Sequence, residues 1–241
     1  MKIIDTHFHL GDWGNEIDYS EDTVISALEK NNLEAMILQP FPVAKDHMDV
    51  HLRISNLAKK NPGKFFGIIS INPYCEDKEY NKSVEKIINF GSFVGIKLHP
   101  LGHSISPISI DAKKVYEIAK KHNLPVMIHT GLTSMGDPAL ALVPAKNYPE
   151  IKFILAHSGW SHATQAMVTA NQYDNIYLET SWTSIFDKSA IVRGVGSKKV
   201  MFGSDGLENI EVEITQYKNL NLDNKDLENI FNNTARDVFS I

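Results

Sequence analysis

Two histidines one residue apart close an apolar run, IIDTHFHL at 3–10. Alternate side chains of a β-strand share a face, so His7 and His9 point the same way. Two imidazoles on one face at the end of a buried strand are half of a metal site. Residues of the same kind recur at the ends of later apolar runs. His99 ends GIKLH at 95–99, with Lys97 two residues earlier on the same face. His129 ends MIH at 127–129, His157 ends ILAH at 154–157, and Asp205 follows MFGS at 201–204. Imidazole and carboxylate suit zinc, manganese, iron or nickel better than calcium. Three histidines and an aspartate leave one position for water, whose pKa a divalent ion lowers toward ~7. Asp205 is read as both a ligand and a proton acceptor. His157, if it lies outside the ligand set, is read as a base or a group that polarises a substrate oxygen.

These residues converge only if the strands that carry them do. Eight short apolar runs lie at 2–7, 35–39, 65–71, 93–99, 125–130, 152–157, 176–179 and 200–204. They are rich in Ile, Val, Phe and Leu, the pattern of strands buried on both faces. Helical periodicity fills the gaps. Ser20 begins the first helix, and Asp111 is read as the N-cap of a helix over 112–122. Further helices are predicted near 47–60, 79–90, 138–147, 162–172, 185–193 and 208–218, with a helical tail over 224–239. Eight β-then-α units predict an α/β fold, a (β/α)8 TIM barrel, as one domain over 1–241. An open doubly wound sheet would gather its functional residues at one switch point. Here they spread over five strand ends, which favours closure.

Composition narrows the function. The chain has 241 residues, 43% hydrophobic, with a net charge of −5 and no basic block. Phosphate neutralisation, and with it nucleic-acid binding, is disfavoured. Cys75 is the only cysteine, which excludes an intramolecular disulfide and a thiolate cluster. No stretch is long and apolar enough to span a bilayer, and no signal-peptide pattern opens the chain. The expectation is a soluble cytoplasmic protein acting on a small molecule, with no nucleic-acid or membrane partner and with homo-oligomerisation left open.

The motifs DTHFH at 5–9, GIKLHP at 95–100, IHTG at 128–131, LAHSG at 155–159 and FGSDG at 202–206, in this order, resemble the amidohydrolase superfamily. Within it they resemble the amidohydrolase-2 group that includes aminocarboxymuconate semialdehyde decarboxylase. The resemblance covers essentially the whole chain. It implies a metal-bearing barrel with ligands at His7, His9, His129 and Asp205, and a further functional histidine at His157. In two-metal members such as dihydroorotase and urease, a strand lysine is carboxylated and bridges the ions, and Lys97 resembles that position. Carboxylated, it would leave His129 and His157 to hold a second ion. As an ammonium it favours one ion and anchors an anionic substrate, the reading adopted here. His99 could ligate, orient Lys97 or bind substrate.

The expected cofactor is one divalent ion, zinc first, with manganese, iron or nickel also suited. The expected reaction is hydrolysis of a C–N or C–O bond by a metal-activated water. Nonoxidative decarboxylation of a small aromatic or unsaturated acid is the alternative enzyme reading, and a catalytically silent metal- or ligand-binding barrel the alternative of another class. Metal-dependent deoxyribonucleases also open with two such histidines, but the later motifs differ. Trp13, Phe41, Trp160 and Trp182 are candidates for an apolar mouth, and Gln39 and Glu179 for its polar lining. Asp5 is read as an orienting or strand-end acceptor. His47, His51, His103, His122 and His162 are read as surface or loop residues, and Cys75 as inert.

Overall fold

Hydrogen bonding turns the eight apolar runs into parallel strands that curl round until the last meets the first. The computed structural model describes residues 1–14 and 16–241. Strand β1 (Ile4–Trp13) carries a short antiparallel partner, β2 (Ile17–Tyr19), on one side and the parallel β3 (Ala35–Pro40) on the other. The ladder continues through β4 (Phe65–Ser70), β5 (Phe93–Leu98), β6 (Val126–His129), β7 (Phe153–Ala156), β8 (Ile176–Glu179) and β9 (Val200–Met201). Residues 202–205 then close on β1. The Thr6 N–H donates to the Phe202 carbonyl at 3.1 Å and the Asp205 N–H to the His7 carbonyl at 2.6 Å. Asp5 staples the same seam, accepting from the Ser204 N–H at 3.0 Å and the Ser204 hydroxyl at 2.6 Å.

The outer layer is built from α1 (Glu21–Lys30), α2 (His47–Lys60), α3 (Asp77–Phe90), α4 (Ile110–His122), α5 (Leu142–Asn147), α6 (Ala163–Gln172), α7 (Ile185–Val195) and α8 (Ile210–Lys218). After them, α9 (Asn224–Glu228) runs through a π-turn into α10 (Thr234–Phe239). The architecture is the (β/α)8 TIM barrel that the alternation predicts. The β1–β2 hairpin was not foreseen. No helix among the described residues is long and apolar enough to cross a membrane.

Register shows which residues face inward, because in-register partners share a face of the sheet. Ile68 pairs with Gly95, Met127 with Ile154, and Ile154 with Tyr177. Ile4, Ala35, Ile37, Ile68, Met127, Ile154 and Met201 pack in one cluster with Ala235, Val238 and Phe239. Helix α10 therefore plugs the N-terminal end of the barrel. Gly95 makes room for it, since a Cβ there would lie 3.3 Å from the Phe239 ring. Strand residues of opposite parity, such as Met36, Leu38, Ile96, Leu98, Phe153 and Leu155, join the outer core with Val24, Ile54, Val84 and Val115 of the helices.

A β-bulge in β1 sets the orientation of the paired histidines. Asp5 pairs with Met36 and Phe8 with Leu38, so Thr6 and His7 together stand opposite Ile37. Simple alternation from the inward Ile4 would have turned Phe8 inward and both histidines out. The extra residue shifts the parity and aims His7 and His9 into the barrel.

Three local expectations are corrected. Ser109, not Asp111, caps α4. Its backbone is extended and its hydroxyl accepts from the Ala112 N–H at 3.2 Å, while Asp111 sits in the first turn, where the helix dipole favours an acid. His51 is not a surface residue. It is fully buried on α2, and its Nε2 accepts from the Ser70 N–H at 3.0 Å. His47, one helical turn earlier, meets the Ser70 carbonyl at 3.2 Å, so the pair pins the end of β4. His103 is also buried, in the loop before α4. The i, i+4 spacing of His47 and His51 puts both on one face of α2, toward the end of β4.

Candidate metal centre

Each inward strand position one step beyond the apolar tier is polar or small. Ile37 gives way to Gln39, Ile68 to Ser70, Gly95 to Lys97, Met127 to His129 and Tyr177 to Glu179. His99, His157 and Asp205 stand just past the ends of β5, β7 and β9. His7, His9, Lys97, His129, His157 and Glu179 are all buried.

Three ligand atoms converge at the seam. His7 Nε2 and His9 Nε2 lie 3.1 and 3.0 Å from the same oxygen, Oδ1 of Asp205. With one more group, His7, His157 and Glu179, these are the sets among the described residues whose ligand atoms are close enough to share an ion. On its other side His7 Nδ1 meets Glu179 Oε2 at 2.8 Å, and a carboxylate there can only accept. With a single proton, on Nδ1, the ring presents a lone pair at Nε2 toward an anionic oxygen. A cation resolves that opposition, and the Lys97 ammonium nitrogen lies 3.2 Å from His7 Nε2. The donor set thus fits a divalent ion: imidazole nitrogens and one carboxylate oxygen in a buried pocket.

His129 lies beside this group. Its Nδ1 is 3.1 Å from His157 Nε2, and its own Nε2 is buried without a partner. Its ring stacks on His99 at 4.2 Å. His99 Nδ1 accepts from the Gly102 N–H at 2.9 Å, so the neutral ring carries its proton on Nε2 and can offer it as a donor. His157 has both nitrogens engaged, the other meeting Ser181 Oγ at 2.9 Å. Gln39 Nε2 lies 3.3 Å from His9 Nε2.

Glu179 is far more than polar lining. It is fully buried at the end of β8 and also accepts from the His157 N–H at 3.2 Å and from the Ser181 N–H and hydroxyl. Gly203 of the FGSDG motif makes this possible, because a Cβ there would lie 2.6 Å from Glu179 Oε1 and 2.8 Å from His7 Cβ. Sequence reading could single out the strand-end acid, but not its partners.

Charge states follow from burial and neighbours. Burial alone would raise the Glu179 carboxyl, but His7 and the surrounding donors hold it at about 2. Burial is likewise outweighed at Asp205, which His7, His9 and His157 keep well below the usual carboxylate range. Burial pushes Lys97 down to about 8, against the pull of Asp205 and Glu179, and His157 down to about 4. It also lowers His9, His99 and His129, so these rings are neutral.

Backbone strain marks the same residues. His157, Trp182 and Asp205 have φ of 64°, 61° and 64°, in the left-handed region that non-glycine residues seldom occupy. Trp182 donates its indole N–H to Asp205 Oδ2 at 2.9 Å and stands parallel to Trp160. Phe41 stacks on His9 at 4.2 Å and takes the edge of Trp13. A cavity of about 250 Å³ opens over the site, lined by Trp13, Tyr19, Phe41 and Trp182 and by the carboxylates Glu16, Asp205 and Glu208. Cys75 lies away from this site, with its thiol pushed up by burial.

Comparison with known proteins agrees with this architecture. An uncharacterised TIM-barrel protein from Bordetella bronchiseptica superposes with a TM-score of 0.82 at 14% identity, over 100% of this chain and 99% of its own. A probable 2-pyrone-4,6-dicarboxylic acid hydrolase from Acinetobacter baumannii gives 0.73 at 16% identity, over 100% of both chains. A dihydroxybenzoic acid decarboxylase from Polaromonas, solved with bound manganese and 2-nitroresorcinol, gives 0.72 at 16% identity, over 99% of this chain and 97% of its own. No curated protein matches the sequence. The amidohydrolase family profile matches residues 4–241. By that match, which spans nearly the whole chain, the protein belongs to the amidohydrolase family.

Proposed function

We propose that this chain is a metal-dependent hydrolase cleaving a C–N or C–O bond in a small, uncharged or cationic molecule. The observation that carries this reading is the mouth of the site. Aromatic rings and the carboxylates Glu16, Glu208 and Asp205 line it, and among the described residues no lysine or arginine does. A carboxylate substrate would meet like charge there before it reached Lys97, which is buried.

In this reading His7, His9 and Asp205 hold one divalent ion, zinc first, and the unpartnered Nε2 of His129 supplies the fourth donor. Such an ion supplies Lewis acidity toward a substrate oxygen and lowers the pKa of water toward ~7. Asp205, ionised and held through Oδ2 by the Trp182 indole, accepts the proton of the attacking water. His99 offers its Nε2–H to the substrate oxygen. Lys97 remains an ammonium but, instead of anchoring the anionic substrate expected from the sequence, offsets the paired negative charge of Asp205 and Glu179. His157, with both nitrogens occupied, orients His129 rather than moving protons.

The test is a substrate panel on metal-loaded protein, with metal stoichiometry measured by elemental analysis. Hydrolysis of neutral lactones or amides with one ion per chain supports the reading. Release of carbon dioxide from hydroxylated benzoates without any hydrolysis would replace it with decarboxylation, the activity named for the manganese-bearing Polaromonas neighbour. Two ions per chain, with extra density on the Lys97 amine, would overturn the single-ion assignment.

A further inference from the structure

We infer that Glu179 is a positioning residue that sets the tautomers of two donor histidines at once, His7 directly and His129 through a relay of Ser181 and His157. The inference rests on the metal reading above for its purpose, but on hydrogen-bond direction alone for its content.

Both oxygens of Glu179 face groups that can only donate. Oε1 accepts from the Ser181 backbone N–H and Oε2 from that of His157 at 3.2 Å. Neither oxygen has a partner that asks it to carry a proton. The short arm is one bond. His7 Nδ1 lies 2.8 Å from Oε2 and must donate, while the Lys97 ammonium, 3.2 Å from His7 Nε2, can only donate, which makes Nε2 the acceptor.

The long arm is three bonds. The Ser181 hydroxyl spends its single proton on Glu179 Oε2 at 2.9 Å. Its oxygen must then accept from His157 Nδ1, also at 2.9 Å. A neutral His157 protonated on Nδ1 is bare on Nε2, so it accepts from His129 Nδ1 at 3.1 Å. His129 is left with a bare Nε2, the buried nitrogen that has no partner in the structure. Both arms end in the same state, a lone pair ready for a cation. A ring's second nitrogen, bonded to a fixed acceptor, is what selects the ligating tautomer.

Glu179→Gln is a sharp test because the site rejects an amide in either orientation. Whichever way its NH2 group points, it meets a backbone N–H. Ser181→Ala cuts only the long arm and serves as the second variant if Glu179→Gln does not fold. Full-length protein stripped of metal, with nitrogen-15 histidine, is read by two-bond proton–nitrogen correlation, which shows which ring nitrogen carries the proton. Zinc affinity is measured on the same samples by competition with a chelating dye.

The expected wild-type result is Nδ1–H at His7, His129 and His157. Glu179→Gln is expected to move His7 and His129 toward Nε2–H and to weaken zinc binding roughly 10–100-fold. Ser181→Ala is expected to move His129 and leave His7 alone, with a smaller loss of affinity. An Nε2–H tautomer at His7 or His129 in the wild type would overturn the inference, as would a Glu179→Gln protein with both tautomers and zinc affinity unchanged. Wild-type tautomers as stated, without any zinc binding, would support the relay and overturn the metal-dependent reading instead.

Discussion

The two ends of the barrel interior are built from the same strands and share almost nothing chemically. At the N-terminal end Ile4, Ile37, Ile68, Met127, Ile154 and Met201 pack against Val238 and Phe239 of α10. One inward step further, β5, β6 and β8 present Lys97, His129 and Glu179, with His7 and His9 beside them. The lower tier gains free energy by excluding water from apolar surface. The upper tier buries groups that are costly to desolvate and offsets that cost through mutual hydrogen bonds and a site for a cation. The same sheet therefore carries stability at one end and chemistry at the other, because side-chain identity can change every second residue without disturbing the ladder.

The largest effects should separate the tiers. Asp205→Ala removes the oxygen shared by His7 and His9 but keeps the backbone bond from residue 205 to the His7 carbonyl. Turnover on a confirmed substrate is expected to fall by roughly 10³-fold or more, about 4 kcal/mol, and bound metal to drop. The metal-free melting temperature should barely move. A collapse of the metal-free fold would show that the upper tier is structural and break the division.

Phe239→Ala tests the other end. The ring is buried against the apolar tier, and its loss should cost about 3–5 kcal/mol in denaturant unfolding. Metal stoichiometry of the protein that remains folded should be unchanged. Loss of metal binding at full stability would be the contrary outcome.

His51 sharpens the comparison, since it is a buried histidine with no place in the site. Burial holds it at about 3, far below its ordinary 6.5, and its Nε2 accepts from Ser70. A base whose folded pKa is depressed contributes stability above the unfolded pKa, and that stability drains away as pH falls from 6.5 toward 3. His51→Gln should be less stable than the wild type at pH 7 by roughly 1–3 kcal/mol, with the gap closing in acid. Added zinc should leave this difference unaltered. A gap that is constant from pH 7 to pH 4 would remove His51 as its source.

Trp182→Phe is expected to have the smallest effect. It keeps an aromatic wall but deletes the N–H held by Asp205 Oδ2. About 1–2 kcal/mol, or roughly 5–30-fold in kcat/KM, should be lost, with melting temperature and metal content unchanged. Wild-type kinetics would mean that Oδ2 needs no orientation.

Several features were legible along the chain because they are local. The eight apolar runs are recorded in residue order and set the count of parallel barrel strands. The strand-end positions of His7, His9, His99, His129, His157 and Asp205 are recorded in the same way. Ser20 was read as the start of the first helix, and the structure makes it the N-cap, its hydroxyl accepting from the Thr23 N–H. Asp111 was read as the cap of α4, and the extended backbone two residues earlier makes Ser109 the cap instead.

Other features depend on residues that only closure brings together. The bulge that turns His7 and His9 inward is visible only as a register shift against β3. The bond from His7 to Glu179 spans 172 positions, and that from Ser204 to Asp5 spans 199. His51 and His103 were read as surface or loop residues; packing buries His51 on α2 and His103 within its loop. The sequence by itself determined the period of the elements and the chemistry available at their ends, because propensity and alternation act over a few residues. Tertiary structure alone decided which partner each histidine nitrogen meets, because those partners come together only when the barrel closes.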